Sequence, residues 1–486
     1  MRLPGHGVRD AERGEPGATV RLTVPRLAIA GLAGDSGKTL VSLGLARLLS
    51  RRGICVAPYK KGPDYIDTAW LGRAAGRPAR NLDTFLMTAE GLGAALRPAM
   101  AADLVLIEGN RGLFDGMDAE GIHSTAALAH LIGAPVALVV DVSKMTRTAA
   151  ALVLGCRALD PELVLAGVIL NRVATARQES LIRRAVAEAA GVEVIGALPR
   201  FDGENPLPGR HLGLVTAVEH PDAERAIDEA ADFVALHVDL DRVVAAAACA
   251  TPVELPLATP PRKTSPSVRI AVVSDAAFSF YYPDNLEALE ARGATIVPVS
   301  ALADEPLGDV DAILIGGGFP ESHAVHLAGA KRFAASLRSC AASRVPIYAE
   351  CGGLMLLARD LRIGERSYPM AGVLDLSVEQ TETPQGHGYA EGTVDGDNPF
   401  FPTGTVLRGH EFHYSRVVGG ADMSRCALRL ERGVGVGGRR DAVCRGRVWA
   451  SYLHLHALSG PAWADGIVAA ARHRRLERTG AEAVLV

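Results

Sequence analysis

Two stretches of this chain, far apart in sequence, carry residue types able to do chemistry. The first is GLAGDSGKT at 31–39, set between an apolar run and a helical pattern. Glycines let backbone N–H groups approach phosphate oxygens, and a helix N-terminus adds its positive dipole end. Here Gly34, Asp35 and Gly37 would wrap a nucleotide phosphate, Lys38 would reach the β- and γ-phosphates, and Thr39 would ligate Mg2+. The spacing departs from GxxxxGK[ST]: position 32, where glycine is required, is Leu32, and Gly31 stands one residue earlier. The second stretch is AECGGL at 349–354, in which Cys351 follows the apolar run VPIYA and precedes a helical run. A strand–turn–helix junction exposes a nucleophile and aims helix N–H groups at it, which would also lower the thiol pKa. Ala349 and Gly353 supply the small residues two positions either side, with Ala in place of the commoner Gly.

Each stretch needs partners. LVLIEG (104–109) is an apolar strand ending in Glu108, and a carboxylate at the carboxyl end of a parallel strand faces the nucleotide crevice, where it can hold Mg2+. YKKGPDYID (59–67) and NLDTF (81–85) gather charges around turn residues. Lys60 would stabilise a transferring phosphoryl group, and Asp64, Asp67 and Asp83 would position metal or substrate, Asp64 with the metal and Asn81 and Asp83 with the substrate. From residue types alone, an ordinary charged surface loop stays open. For Cys351, SYLHLH (451–456) offers a base. Residues i and i+2 of a strand share a face, so His454 would activate the thiol, with His456 or another group orienting it. A metal pair is the rival reading of that HxH, but no third ligand is evident. GGGFPE (316–321) would present Gly317 and Gly318 as an oxyanion hole, and GHEFHYS (409–415) reads as hairpin structure or substrate contact.

The surrounding pattern is α/β. Apolar strands are expected at 26–30, 54–58, 104–108, 136–141 and 164–170, with helices at 37–50, 148–158 and 178–190. Unbroken apolar strands between helices predict a parallel sheet covered on both faces. The pattern restarts at 269–273, with a helix at 284–292, strands at 295–299 and 312–316, and VPIYA (345–349) leading into a helix at 352–361. Past 371 the segments are short and alternating, as in antiparallel hairpins, and a helix at 462–478 closes the chain. Residues 250–267 hold five prolines and read as a linker. The expected organisation is a disordered tail at 1–24, a P-loop domain at 25–249, the linker, and a second α/β domain at 268–486.

Composition narrows the classes. The 486 residues carry 51 basic against 55 acidic side chains, which argues against nucleic acid or an anionic membrane as the main partner. No apolar run is long enough to span a bilayer, and residues 1–20 lack the apolar core of a signal peptide. Seven scattered cysteines without CxxC spacing fit reduced thiols in a cytoplasmic protein.

Taken together, GDSGKT, KKGPDYID, NLD, LIEG…GLFDG, GVILNRV, RHLGLV, FSFYYPDNLE, GGGFPE, AECGGL and SYLHLH resemble the cobyrinate a,c-diamide synthase family across residues 26–460. That resemblance implies a dethiobiotin-synthetase-like P-loop domain joined to a class I glutamine amidotransferase domain. It implies amidation of acetate side chains on a cobalamin-pathway macrocycle with ATP, Mg2+ and L-glutamine. Cys351 would be the glutaminase nucleophile and His454 its base; Lys38, Thr39 and Glu108 fall on ATP–Mg2+ positions. Asn171 falls on a base-reading position, Lys60 on a phosphate-stabilising one, and Asp64 and Asp67 in a carboxylate-handling loop. His456 stands where many class I glutaminases place Glu. Asn110, Arg111 and PQGHGY (384–389) are similar instead to relatives acting on sirohydrochlorin-type macrocycles, including nickel-sirohydrochlorin or sirohaem. A non-catalytic P-loop switch of the ParA/MinD kind would carry a lysine five residues before Lys38, where this chain has Ala33. Oligomeric state is not fixed by these residues, and a homodimer is one option.

Overall fold

The computed structural model describes residues 18–200, 209–210, 213–258, 267–420 and 422–479. Seven parallel strands form the first sheet, in the order Arg80–Leu82, Val56–Lys61, Leu104–Glu108, Arg26–Gly31, Val136–Asp141, Leu165–Val173, Val194–Pro199. Side chains alternate across it as a two-residue period demands. Leu27 and Ile29 pack into one buried cluster and Ala28 and Ala30 into the other, so both faces need helices over them. The glycine loop lies between Arg26–Gly31 and the helix Lys38–Arg51, and Glu108 ends the adjacent strand. Both therefore sit at the carboxyl edge of the sheet, where open α/β sheets bind ligands.

The second sheet has ten strands. Ala294–Val299, Val268–Val273, Ala312–Ile315, Ile347–Glu350 and Val448–Ser451 run parallel. The sheet continues antiparallel through Arg440–Arg445, Cys426–Arg432, Gly386–Val394, Val406–His413 and His454–Leu455. The expected helix at 352–361 is only Gly352–Leu357, because Asp360–Ile363 turns into a strand of a separate four-stranded sheet. Among the described residues no helix is long and apolar enough to cross a membrane.

Two boundary expectations change. Thr19–Leu22, inside the expected tail, pairs antiparallel with Val253–Pro256, inside the expected linker. Proline is tolerated there because the ribbon has only two strands and every strand is an edge. Arg26, fully buried, anchors it: its guanidinium donates to Val24 O (2.9 Å), Ile132 O (2.5 Å) and Thr251 O. Among the described residues no carboxylate joins it, and burial pushes its pKa down to about 10. Residues 1–17 and 259–266 lie outside the described residues.

Candidate active sites and the cavity between them

The phosphate loop closes on Gly37, whose φ of 97° lies in the left-handed region, and a Cβ there would fall 2.2 Å from Asn171 Nδ2. Only glycine meets both demands. Gly34 and Asp35 are exposed on the outer turn, free to meet a phosphate. Lys38 folds back over the loop, donating to Ala33 O at 2.9 Å and reaching Ser36 Oγ at 3.4 Å. Thr39 Oγ1 donates to Glu108 Oε1 at 2.7 Å, and Lys60 Nζ donates to Glu108 Oε1 (2.8 Å), Asp67 Oδ2 (2.6 Å) and Gly109 O (3.3 Å).

This cluster is buried, and charge decides its titration. Two carboxylates outweigh the burial of the Lys60 ammonium and hold it well above its ordinary range. Burial pushes Glu108 up, more than Lys60 pulls it down. Burial, with Asp67 adding repulsion, raises Asp64 to about 7. Glu108 Oε2 is buried without a hydrogen-bond partner. Beside the Thr39 hydroxyl, that orphaned oxygen fits a hard cation, which takes oxygen ligands. Asp64, expected as a metal ligand, accepts through Oδ1 from Asp67 N, in the first turn of the helix Ile66–Ala75, at 2.8 Å. No group of three His, Cys, Asp or Glu among the described residues is arranged to hold a metal.

Three other expected residues are braces in the structure. Asn171, expected to read a base, holds the phosphate loop: its Nδ2 donates to Ser36 O at 2.9 Å. Asn81 Nδ2 donates to Gly62 O (2.7 Å) and Asp64 O (2.9 Å), fixing the turn that aims Asp64. Asp83 is fully buried; Oδ1 accepts from Phe85 N and Leu86 N, and Oδ2 accepts from Tyr389 OH at 2.6 Å, across the two sheets. Short polar side chains in turns hydrogen-bond backbone as readily as ligand, so residue type alone did not separate these uses.

The elbow is a strained turn. Cys351 has φ 48° between Ile347–Glu350 and Gly352–Leu357, a cost of about 1–3 kcal/mol for a non-glycine residue. Cys351 N donates to Ser451 O at 2.7 Å, and Gly353 must lack a side chain because a Cβ would sit 2.5 Å from Ile315 O. The thiol pKa is not lowered as the helix end suggested. Burial, with the Glu321 and Glu350 carboxylates, pushes it above its ordinary value, and a helix of six residues does not offset that. A cysteine raised in this way would need a base before it could act as a nucleophile.

His454–Leu455 pairs antiparallel with Gly409–His410, so the His410 and His454 imidazoles stack at 4.8 Å. His454 Nδ1 lies 3.6 Å from Glu350 Oε2, and Glu350 also accepts from Leu455 N at 3.1 Å. His454, Cys351 and Gly318 line one cavity, and Gly317 lies against His454 so closely that a Cβ would come within 2.4 Å of its Cε1. His456 does not share that face. The strand ends at Leu455, and His456 turns onto Tyr282, ring centroids 4.3 Å apart, accepting from Leu458 N at 3.1 Å. Burial pushes its pKa down to about 3. The carboxylate beside His454 is Glu350, which sequence reasoning passed over; its one signal was a Glu directly preceding the nucleophile.

A cavity of about 410 Å3 is lined by residues of both domains. Cys351, Gly318 and His454 line it from the second sheet, and Lys61, Asp64 and Tyr65 from the first. Tyr65 stacks on Phe280 at 5.0 Å and lies 5.6 Å from His454. Arg80 pairs with Asp284 and Glu287 across the same junction, each at 2.6 Å.

Residues 27–215 match the CobQ/CobB/MinD/ParA nucleotide binding domain, and 269–462 the CobB/CobQ-like glutamine amidotransferase domain. The chain is 43% identical to a cobyrinate a,c-diamide synthase of Magnetococcus marinus, over 91% of this chain and 96% of that one. It is 41% identical to one of Archaeoglobus fulgidus, over 90% and 95%. It is 42% identical to a hydrogenobyrinate a,c-diamide synthase of Rhodobacter capsulatus, over 89% and 98%.

Proposed function

The chain belongs to the cobyrinate a,c-diamide synthase family, and we propose from that premise that it is a glutamine-dependent, amide-forming ligase acting on the a and c acetate groups of cobyrinate or hydrogenobyrinate. The observation that carries the reading is the single cavity lined by both a nucleophile elbow and the loop beside the phosphate site.

In the second domain, His454 takes the Cys351 thiol proton while Glu350, 3.6 Å away, stabilises the imidazolium. The thiolate attacks the glutamine carboxamide carbon, the C–N bond breaks, and ammonia leaves with the transferred proton. Backbone N–H groups at Gly317–Gly318 face the developing oxyanion. Water then hydrolyses the thioester to glutamate and frees the thiol. In the first domain, the loop holding Lys38 binds ATP, and a substrate carboxylate oxygen attacks the γ-phosphorus, giving ADP and an acyl phosphate. Lys60, fixed by Asp67 and Glu108, is placed to stabilise the transferring phosphoryl charge. Thr39 and Glu108 would hold Mg2+, which supplies charge neutralisation on the phosphates. Ammonia crossing the cavity attacks the acyl carbon and displaces phosphate. Water would hydrolyse that intermediate, so delivering ammonia through the cavity between the domains, rather than through bulk solvent, serves the chemistry.

The test is mass spectrometry after incubation with ATP, glutamine and, in turn, cobyrinate, hydrogenobyrinate and sirohydrochlorin. Two amides gained on cobyrinate or hydrogenobyrinate is the expected outcome. Two on sirohydrochlorin alone would move the substrate, and none on any would overturn the reading.

A further inference from the structure

Three carboxylates and three cations line the cavity, and they do not pair with one another. Its carboxylates are committed to backbone: Asp64 to Asp67 N, Asp115 to Gly112 N at 2.9 Å, and Glu411 to Val434 N and Gly435 N at 2.5 and 2.9 Å. Its cations are not committed to carboxylates. Lys61, only 5% exposed, donates to Tyr389 OH at 3.2 Å. Arg111 reaches His387 Nε2 at 3.4 Å, and Arg432 donates to Tyr389 O at 3.1 Å. Among the described residues, none of these three makes an ion pair within 4 Å. A buried ammonium without a carboxylate is costly, so such a set is kept where a ligand brings the negative charge.

Three further observations point the same way. Arg111 has φ 49°, a strained position for a branchless but bulky side chain, and it contacts the opposite domain. A second cavity of about 320 Å3 adjoins the first through Met117, His123 and Arg432, and adds Phe85 and Arg408, the latter paired with Glu391 at 2.5 Å. Both volumes lie within the roughly 300–1,000 Å3 of small-molecule sites. Rings lie beside the guanidinium groups: Phe85, under Arg408 at 5.9 Å, stacks on Tyr389 at 4.4 Å, and His387, which Arg111 reaches, is tilted against Phe412 at 4.7 Å. Flat rings next to arginines suit a conjugated ligand carrying carboxylates at its edge.

We propose that the macrocycle docks across the junction of the two domains, its carboxylates held by Arg111 and Lys61 of the first and Arg432 of the second, so that the amidotransferase half builds part of the acceptor site. This rests on the reading that the acceptor is a carboxylate-bearing macrocycle. Lys61 lines the cavity with Asp64, whose carboxylate acts electrostatically on Lys60 of the phosphoryl-handling cluster.

The experiment titrates the full-length chain with cobyrinate, following the absorbance of the bound macrocycle, and measures KM for each substrate. Arg432→Gln and Arg111→Asn are compared with wild type; asparagine tolerates the left-handed backbone at 111. Each variant is expected to raise Kd and KM for cobyrinate at least tenfold, with KM for ATP and glutamine unchanged. Arg432→Lys should recover part of the loss. Wild-type cobyrinate affinity in Arg432→Gln overturns the proposal while leaving the amidation reading intact. A wild-type chain that neither binds nor amidates cobyrinate removes that reading, and the proposal with it.

Discussion

Replacing Lys60 by Met tests the phosphate-site cluster most severely. The ammonium is 3% exposed and lies 2.6 Å from Asp67 and 2.8 Å from Glu108, with Asp64 close enough to act on it electrostatically. Methionine fills much of the space but leaves the carboxylates facing one another in a dry site. Breaking a buried pair by removing one partner costs about 3–5 kcal/mol. At about 2–4 °C per kcal/mol for a domain of this size, the first thermal transition should fall by roughly 6–20 °C near pH 8. The sign with pH follows from Asp64, whose folded pKa is raised to about 7. A carboxyl raised in the folded state stabilises below its unfolded pKa, and that contribution is lost as pH rises through the folded value. Losing Lys60 pushes these carboxyls further up, so the deficit of the variant should be larger at pH 8.5 than at pH 5.5. Calorimetry at both pH values measures it, and ammonium-driven amide formation by the variant should drop about 100–1,000-fold. A transition at pH 8.5 within 2 °C of wild type would refute the cluster as described.

Two further perturbations bear on the loop and the acid response. Gly37→Ala puts a Cβ 2.2 Å from Asn171 Nδ2 at φ 97°, so KM for ATP should rise at least tenfold, with partial recovery when Asn171→Ser is added; steady-state kinetics of both variants decide it. His456 is held neutral, its pKa down at about 3 from 6.5, so its contribution is complete above pH 6.5 and is lost as pH falls toward 3. At about 1.36 kcal/mol per pH unit the ceiling is roughly 5 kcal/mol. His456→Gln should therefore flatten the loss of urea resistance between pH 7 and pH 4, and parallel curves would contradict this.

Local chemistry was legible in the sequence where local geometry suffices. A glycine loop between strand and helix, a strand-terminal Glu108 and a strand–turn–helix cysteine are each contained in about ten residues, and each lies where its element ends. Long-range pairing was not legible. Thr19–Leu22 meets Val253–Pro256 more than 230 residues away, and neither segment has a hydrophobic pattern that specifies the other. The same holds for Glu350 beside His454 and for Tyr65 between the domains. Asn81, Asp83 and Asn171 were not legible in another way: polar side chains expected on ligands also hydrogen-bond the backbone that shapes the site. His456 failed for a reason within four residues, because the strand stops before it and the two-residue alternation stops with it.

The account turns on two chemistries in two domains connected by one cavity. Cys351→Ser, assayed for macrocycle amidation with glutamine and then with ammonium chloride, tests it most directly. The account predicts that glutamine-driven amidation is lost while ammonium-driven amidation stays near the wild-type rate. A folded variant that ammonium does not rescue, or that still uses glutamine, would contradict it.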